Sequence, residues 1–92
     1  MIYQATDAIF DLVIQSLSNP FDSHGAFDVL KATFPREYQL DLGMMSHAKD
    51  PERALHVLYA KRLRGFTSLT PTRRVRSRNV RGGNTLNQEW RK

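Results

Sequence analysis

Cysteine is absent from this chain, which removes disulfide frameworks, thiolate zinc sites, iron–sulfur ligation and cysteine nucleophiles from consideration. Long apolar runs are absent as well. The longest near the start is Leu12 to Ile14, far short of the roughly 20 residues a bilayer helix requires, and no basic segment precedes it as a secretion signal demands. The expectation is a soluble, cytoplasmic protein with no membrane partner. Catalytic signatures are missing too: there is no H-E-x-x-H pattern, no glycine-rich phosphate loop and no serine elbow. His24, His47 and His56 are too scattered to argue a metal site, and Asp22, Asp28, Glu37 and Asp41 read as helix-surface or cap carboxylates. No enzyme, metal or cofactor is therefore expected.

What remains is enough for one domain. At 92 residues, with 40% hydrophobic and 10% aromatic side chains, the chain can bury a modest core but not two. A helical portion over residues 1–65 and a linker with a basic C-terminal hairpin over residues 66–92 are the natural divisions.

Charge is distributed very unevenly. Residues 1–60 carry four bases and eight acids, a net of −4, whereas residues 61–92 carry ten bases and one acid, a net of +9. This polarity is the main functional signal in the chain.

The apolar residues recur at helical spacing through the first two-thirds. Ile9, Phe10, Val13, Ile14 and Leu17 predict a helix over residues 4–17, capped by Thr6 or an earlier residue and stopped by Asn19-Pro20. Ser23 or Asp22 begins a second helix to Thr33, with Ala26, Phe27, Leu30 and Phe34 inward. A third, over residues 36–45, places Tyr38, Leu42 and Met45 on one stripe, with Gly43 against it. Asp50-Pro51-Glu52 is a strong start for a fourth helix to Arg64, because the carboxylate caps and proline occupies a position that needs no donor. Gly65 is available for a left-handed C-cap.

Beyond Gly65 the pattern becomes extended. Residues 73–81 predict a strand, Arg81-Gly82-Gly83-Asn84 a tight turn, and residues 85–90 a return strand with Leu86, Gln88 and Trp90 on one face. Val75 and Val80 have opposite parity, so a bulge or the burial of only one of them is required. Trp90 is expected to pack the hairpin onto the helices with its indole N–H on a polar partner. In a strand Arg74, Arg76 and Arg78 project from one face about 6 to 7 Å apart, comparable to successive phosphates of a nucleic-acid strand.

The order of elements, with the basic Arg73–Asn84 region last, resembles winged-helix DNA-binding domains. The resemblance implies a mainly α domain with a C-terminal β-hairpin, a winged-helix-like α+β fold. It further implies that Arg76, Arg78, Arg81 and Asn84 belong to the wing, with the 51–64 helix docking on or reading the nucleic acid. Together with Lys61, Arg62, Arg64, Arg73 and Arg74 they form the candidate nucleic-acid contacts, with duplex DNA favoured over RNA. One feature departs from that pattern: Arg53 is flanked by Asp50 and Glu52, which offset it. The competing reading is a protein-interaction or assembly adaptor whose partner meets the acidic helical half and Met44-Met45. A homodimer is a further reading, because the core is small.

Overall fold

The computed structural model describes residues 2–92. Four helices, α1 (Asp7–Ser16), α2 (Ser23–Thr33), α3 (Pro35–Gly43) and α4 (Pro51–Arg64), precede a hairpin of β2 (Thr70–Arg78) and β3 (Asn84–Arg91). A two-residue strand, β1 (Phe21–Asp22), joins the hairpin to give an antiparallel sheet of order β1-β3-β2. The result is the α+β architecture expected, with the coarse topology of a helical domain carrying a C-terminal hairpin, compatible with a winged-helix fold.

Local chemistry sets most helix ends. Thr6 Oγ1 accepts from the Ile9 amide, Asp22 Oδ1 from the Gly25 amide at 2.7 Å, and Asp50 Oδ1 from the Arg53 amide. Helix α1 begins at Asp7, not Gln4, because the Gln4 and Ala5 amides donate to Asp41 on α3, at 2.6 and 3.1 Å. Asp22, not Ser23, caps α2, which leaves Ser23 buried and free to bond the sheet. Helix α3 takes Pro35 into its first turn and ends at Gly43, two residues before the expected limit. Gly65 is not a left-handed cap: its φ is −79° and ψ −12°. The chain leaves α4 through successive tight turns, Gly65 N–H to Arg62 O and Phe66 N–H to Leu63 O, which need no positive φ.

The core gathers Phe10, Val13, Ile14, Phe27, Leu30, Tyr38, Leu55, Tyr59, Leu63 and Trp90. Tyr59 sits among the rings, 5.1 Å from Phe10 edge-on and 5.9 Å from Phe27. Its hydroxyl donates at 2.5 Å to Asp41, the same carboxylate that holds Gln4 and Ala5. Asp41 was expected on a helix surface and is instead wholly buried, at 0% exposure. It clamps the N-terminal segment, α3 and α4 together, and its three donors compensate for desolvation of the carboxylate.

The hairpin is shifted from the sequence expectation. Strand β2 begins at Thr70 and ends at Arg78, and the reversal is a loop over residues 79–83 in place of an Arg81–Asn84 turn. Asn79 organises it: its Oδ1 accepts from the Arg81 and Gly83 amides, and Gly82 supplies the one positive φ, 86°. Asn84 is consequently the first residue of β3, opposite Arg78. Val80 lies in the loop, so the parity conflict with Val75 vanishes; the register shift occurs elsewhere, between Pro71 and Arg74.

Trp90 packs as expected, 2% exposed, opposite Phe21 and donating to Ser23 Oγ at 3.0 Å. Leu86 does not join it and is 54% exposed. Asn87 is buried instead, accepting from the His24 amide and donating to Ser77 Oγ and Val75 O, which ties the hairpin to the start of α2.

Candidate functional site

Burial of one helix face dictates what the other presents. With Leu55, Tyr59 and Leu63 inward, α4 exposes Arg53, Val57, Lys61 and Arg64, a stripe spaced by four, four and three residues. Alternation does the same on β2: Val75 and Ser77 are half-buried, while Arg74, Arg76 and Arg78 are exposed and share a face with Leu86 and Asn84.

The nine candidate contact residues are not equivalent. Arg62 serves the fold. Its guanidinium donates to Ala5 O at 2.6 Å and Asp7 Oδ1 at 2.9 Å, and lies 4.3 Å from the Phe10 ring centre and 4.4 Å from that of Tyr3. Arg73 pairs with Glu89 at 3.3 Å, and Arg81 with Asp50 at 3.0 Å. Lys61, Arg64, Arg74, Arg76 and Arg78 form no ion pair among the described residues. Asn84 sits at the foot of the loop in β3.

Arg53, missed in the sequence as a contact, joins this unpaired set. The acids expected to offset it are engaged elsewhere: Asp50 caps α4 and holds Arg81, and Glu52 accepts from Tyr38 at 2.5 Å and Lys31 at 3.2 Å. The spacing of Arg53, Val57, Lys61 and Arg64 was the signal available for finding this stripe; the release of Arg53 depends on contacts made across the fold.

Arg53 and Arg64 of the α4 stripe and Arg74 of the β2 row reach one cleft of about 420 Å3, between α4 and the hairpin. Arg53, Val57 and Arg64 line one wall, Arg74, Leu86 and Gln88 the other, and Phe27, His56 and Trp90 lie between. The Arg81–Asp50 pair folds the loop over the N-terminal end of α4 and closes that end of the cleft. On the far side of α4, Met45, Ala48, Ala54 and Leu58 line a shallow depression that shares Arg53 and Val57. The exposed stripe of α4 therefore stands as a ridge between two hollows.

A hydrogen-bonded network underlies the cleft. Partial burial alone raises the Glu52 carboxyl, but the Tyr38 and Lys31 hydrogen bonds outweigh it and hold the group below its ordinary range. The Arg53 amide, followed by Arg81, does the same for Asp50. Tyr38 is pushed up by burial and by Glu52, so it remains a donor. Burial pushes His56 down from 6.5 to about 4, which makes it neutral near pH 7.

The unfolded chain therefore takes a proton on His56 that the folded one refuses. Stability is complete above pH 6.5 and is lost as pH falls toward 4. Urea unfolding should show a loss of about 2 kcal/mol between pH 7 and pH 5, and His56→Gln should flatten that part of the profile.

Among the described residues, no group of three or more histidines and carboxylates is placed to hold a metal ion, and no helix is long and apolar enough to cross a membrane. No family model matches the chain, and no curated protein or solved structure matches it.

Proposed function

We propose that the chain is a small, non-enzymatic nucleic-acid-binding regulatory module that grips a phosphate backbone with its hairpin, duplex DNA being its preferred partner. The observation that carries this reading is the row Arg74, Arg76 and Arg78, exposed on one face of β2 and paired with no carboxylate of the fold among the described residues. Alternate residues of a strand stand about 6 to 7 Å apart. Guanidinium groups at that interval meet successive phosphates of one strand, each through paired hydrogen bonds. Arg53, Lys61 and Arg64 on the facing ridge extend the cationic surface to α4, a helix of about 21 Å. The two acids beside Arg53 in the sequence are engaged within the fold, Asp50 with Arg81 and Glu52 with Lys31 and Tyr38.

A salt-series titration against duplex DNA, single-stranded DNA and RNA tests the reading. Five or so phosphates neutralised in the duplex give a slope of about −4 to −5 in log K against log salt. Duplex binding tighter than either competitor is the expected order. An affinity indifferent to salt, or no binding at all, would overturn the proposal.

A further inference from the structure

The cleft between α4 and the hairpin contains groups that phosphate gripping does not use. Four arginines reach it, Arg53, Arg64, Arg74 and Arg81, and Arg81 alone is held by an acid of the fold among the described residues. Its acceptors are equally specific. Glu52 Oε2 takes both the Tyr38 hydroxyl and Lys31, leaving Oε1 with no hydrogen bond among the described residues. Tyr38 has one hydroxyl proton and gives it to Glu52, so His56 must carry its own proton on Nε2 and donate to the phenolic oxygen 2.8 Å away. His56 Nδ1 is then a bare acceptor without a partner among the described residues.

The ends of the cleft differ. The Arg81–Asp50 contact closes the end near Glu52 and His56, whereas β2 departs from the other end of α4, where Arg64 and Arg74 lie. Eight residues separate His56 from Arg64, about 12 Å of helix. Apolar side chains line both walls, Val57, 50% exposed, on α4 and Leu86 on the hairpin. A volume of about 420 Å3 falls within the range of small-ligand pockets and is too small for a base pair with both its backbones. An inorganic anion leaves the apolar walls and both acceptors unused. A flat, N–H-bearing ring joined to a phosphate uses all three.

We propose that this cleft binds one nucleotide unit, its phosphate on Arg64 and Arg74, its ring between Val57 and Leu86, and the N–H edge of its base toward Glu52 Oε1 and His56 Nδ1. The proposal rests on the nucleic-acid reading and deepens it by naming the unit recognised, whether a free nucleotide or an unpaired base within a strand. A base with N–H donors along its edge, as guanine has, suits two acceptors.

Calorimetric titration of the full chain with 5′-GMP, ribose 5-phosphate and inorganic phosphate tests it, with fluorescence of Trp90, the sole tryptophan, as a second readout at the cleft. GMP should bind at least about tenfold more tightly than ribose 5-phosphate, and Arg74→Ala, an exposed substitution, should weaken GMP about tenfold. Glu52→Gln should narrow the preference for GMP over ribose 5-phosphate; because it also disturbs Tyr38 and Lys31, Arg74→Ala is the variant that decides. Equal affinity for GMP and ribose 5-phosphate, or no effect of Arg74→Ala, overturns the pocket. A guanine-containing single strand that displaces GMP, where a strand of the same length without guanine does not, identifies the strand as the source; a guanine-containing strand that binds without displacing it identifies the free nucleotide. If oligonucleotides bind and GMP does not, the pocket fails while the nucleic-acid reading stands, and if neither binds, both fail.

Discussion

Asp41→Asn is expected to lower the stability of the domain by about 3–5 kcal/mol. The carboxylate is buried and accepts from the Gln4 and Ala5 amides and the Tyr59 hydroxyl. Asparagine keeps the shape but replaces one acceptor oxygen with a donor, turning it toward groups that are themselves donors, so at least one buried N–H or O–H loses its partner. A domain of this size has about 5–15 kcal/mol in total, and each kcal/mol corresponds to about 4–8 °C in Tm. Thermal unfolding followed by circular dichroism should therefore shift down by the order of 20 °C. Tyr59→Phe removes one donor and leaves the other two, and should cost about a third as much. A shift of a few degrees for Asp41→Asn would mean that the clamp between the N-terminal segment and the helices contributes little.

Trp90→Ala is expected to have a similar cost, about 3–5 kcal/mol, by removing the largest side chain of the core. The loss differs in kind. Trp90 fastens β3 to Phe21 and, through its indole N–H, to Ser23, so the substitution leaves a cavity beneath the sheet and takes the indole donor from the Ser23 hydroxyl, which keeps only its own donation to Gln88 O. The hairpin should loosen before the helices do. Amide hydrogen exchange in β2 and β3 should accelerate more than in α2 and α4, alongside a lower midpoint in urea. Uniform acceleration across all elements would place Trp90 in the common core without a special role in docking the hairpin.

Local signals in the sequence were sufficient for the number and order of the helices, but not for every helix end. The Asp50-Pro51-Glu52 start is written within one turn of the residues it organises, and α4 begins there as expected. Asp41 was not legible in this way. An acid on a short helix reads as solvent-facing, and its burial depends on amides from the other end of the chain and a hydroxyl on α4, none of which periodicity reveals. The hairpin was legible but its turn was misplaced, for a related reason: Gly82-Gly83-Asn84 is the conspicuous turn sequence, but the Asn79 side chain closes the loop earlier, and β1 is too short to register as a strand.

The candidate site was partly visible. The row Arg74, Arg76 and Arg78 follows from strand alternation alone. Arg62 looked the same as its neighbours on α4, and its bonds to Ala5 and Asp7 with the packing of Tyr3 and Phe10 beneath it show that it belongs to the fold. Arg53 looked neutralised until Asp50 and Glu52 were found bound to Arg81, Lys31 and Tyr38. The cleft itself, and the acceptors at its closed end, arise from how α4 and the hairpin are set against each other.

The most direct measurement compares the salt dependence of duplex binding for the native chain and for the variant Arg74→Ala, Arg76→Ala, Arg78→Ala. These side chains are exposed and carry no ion pair within the fold among the described residues, so the variant should unfold at nearly the native temperature. If each guanidinium holds one phosphate, the slope of log K against log salt should shrink by about 2.7, and affinity at low salt should fall by roughly a hundredfold or more. A variant that folds normally and binds duplex DNA with the native slope would contradict the account.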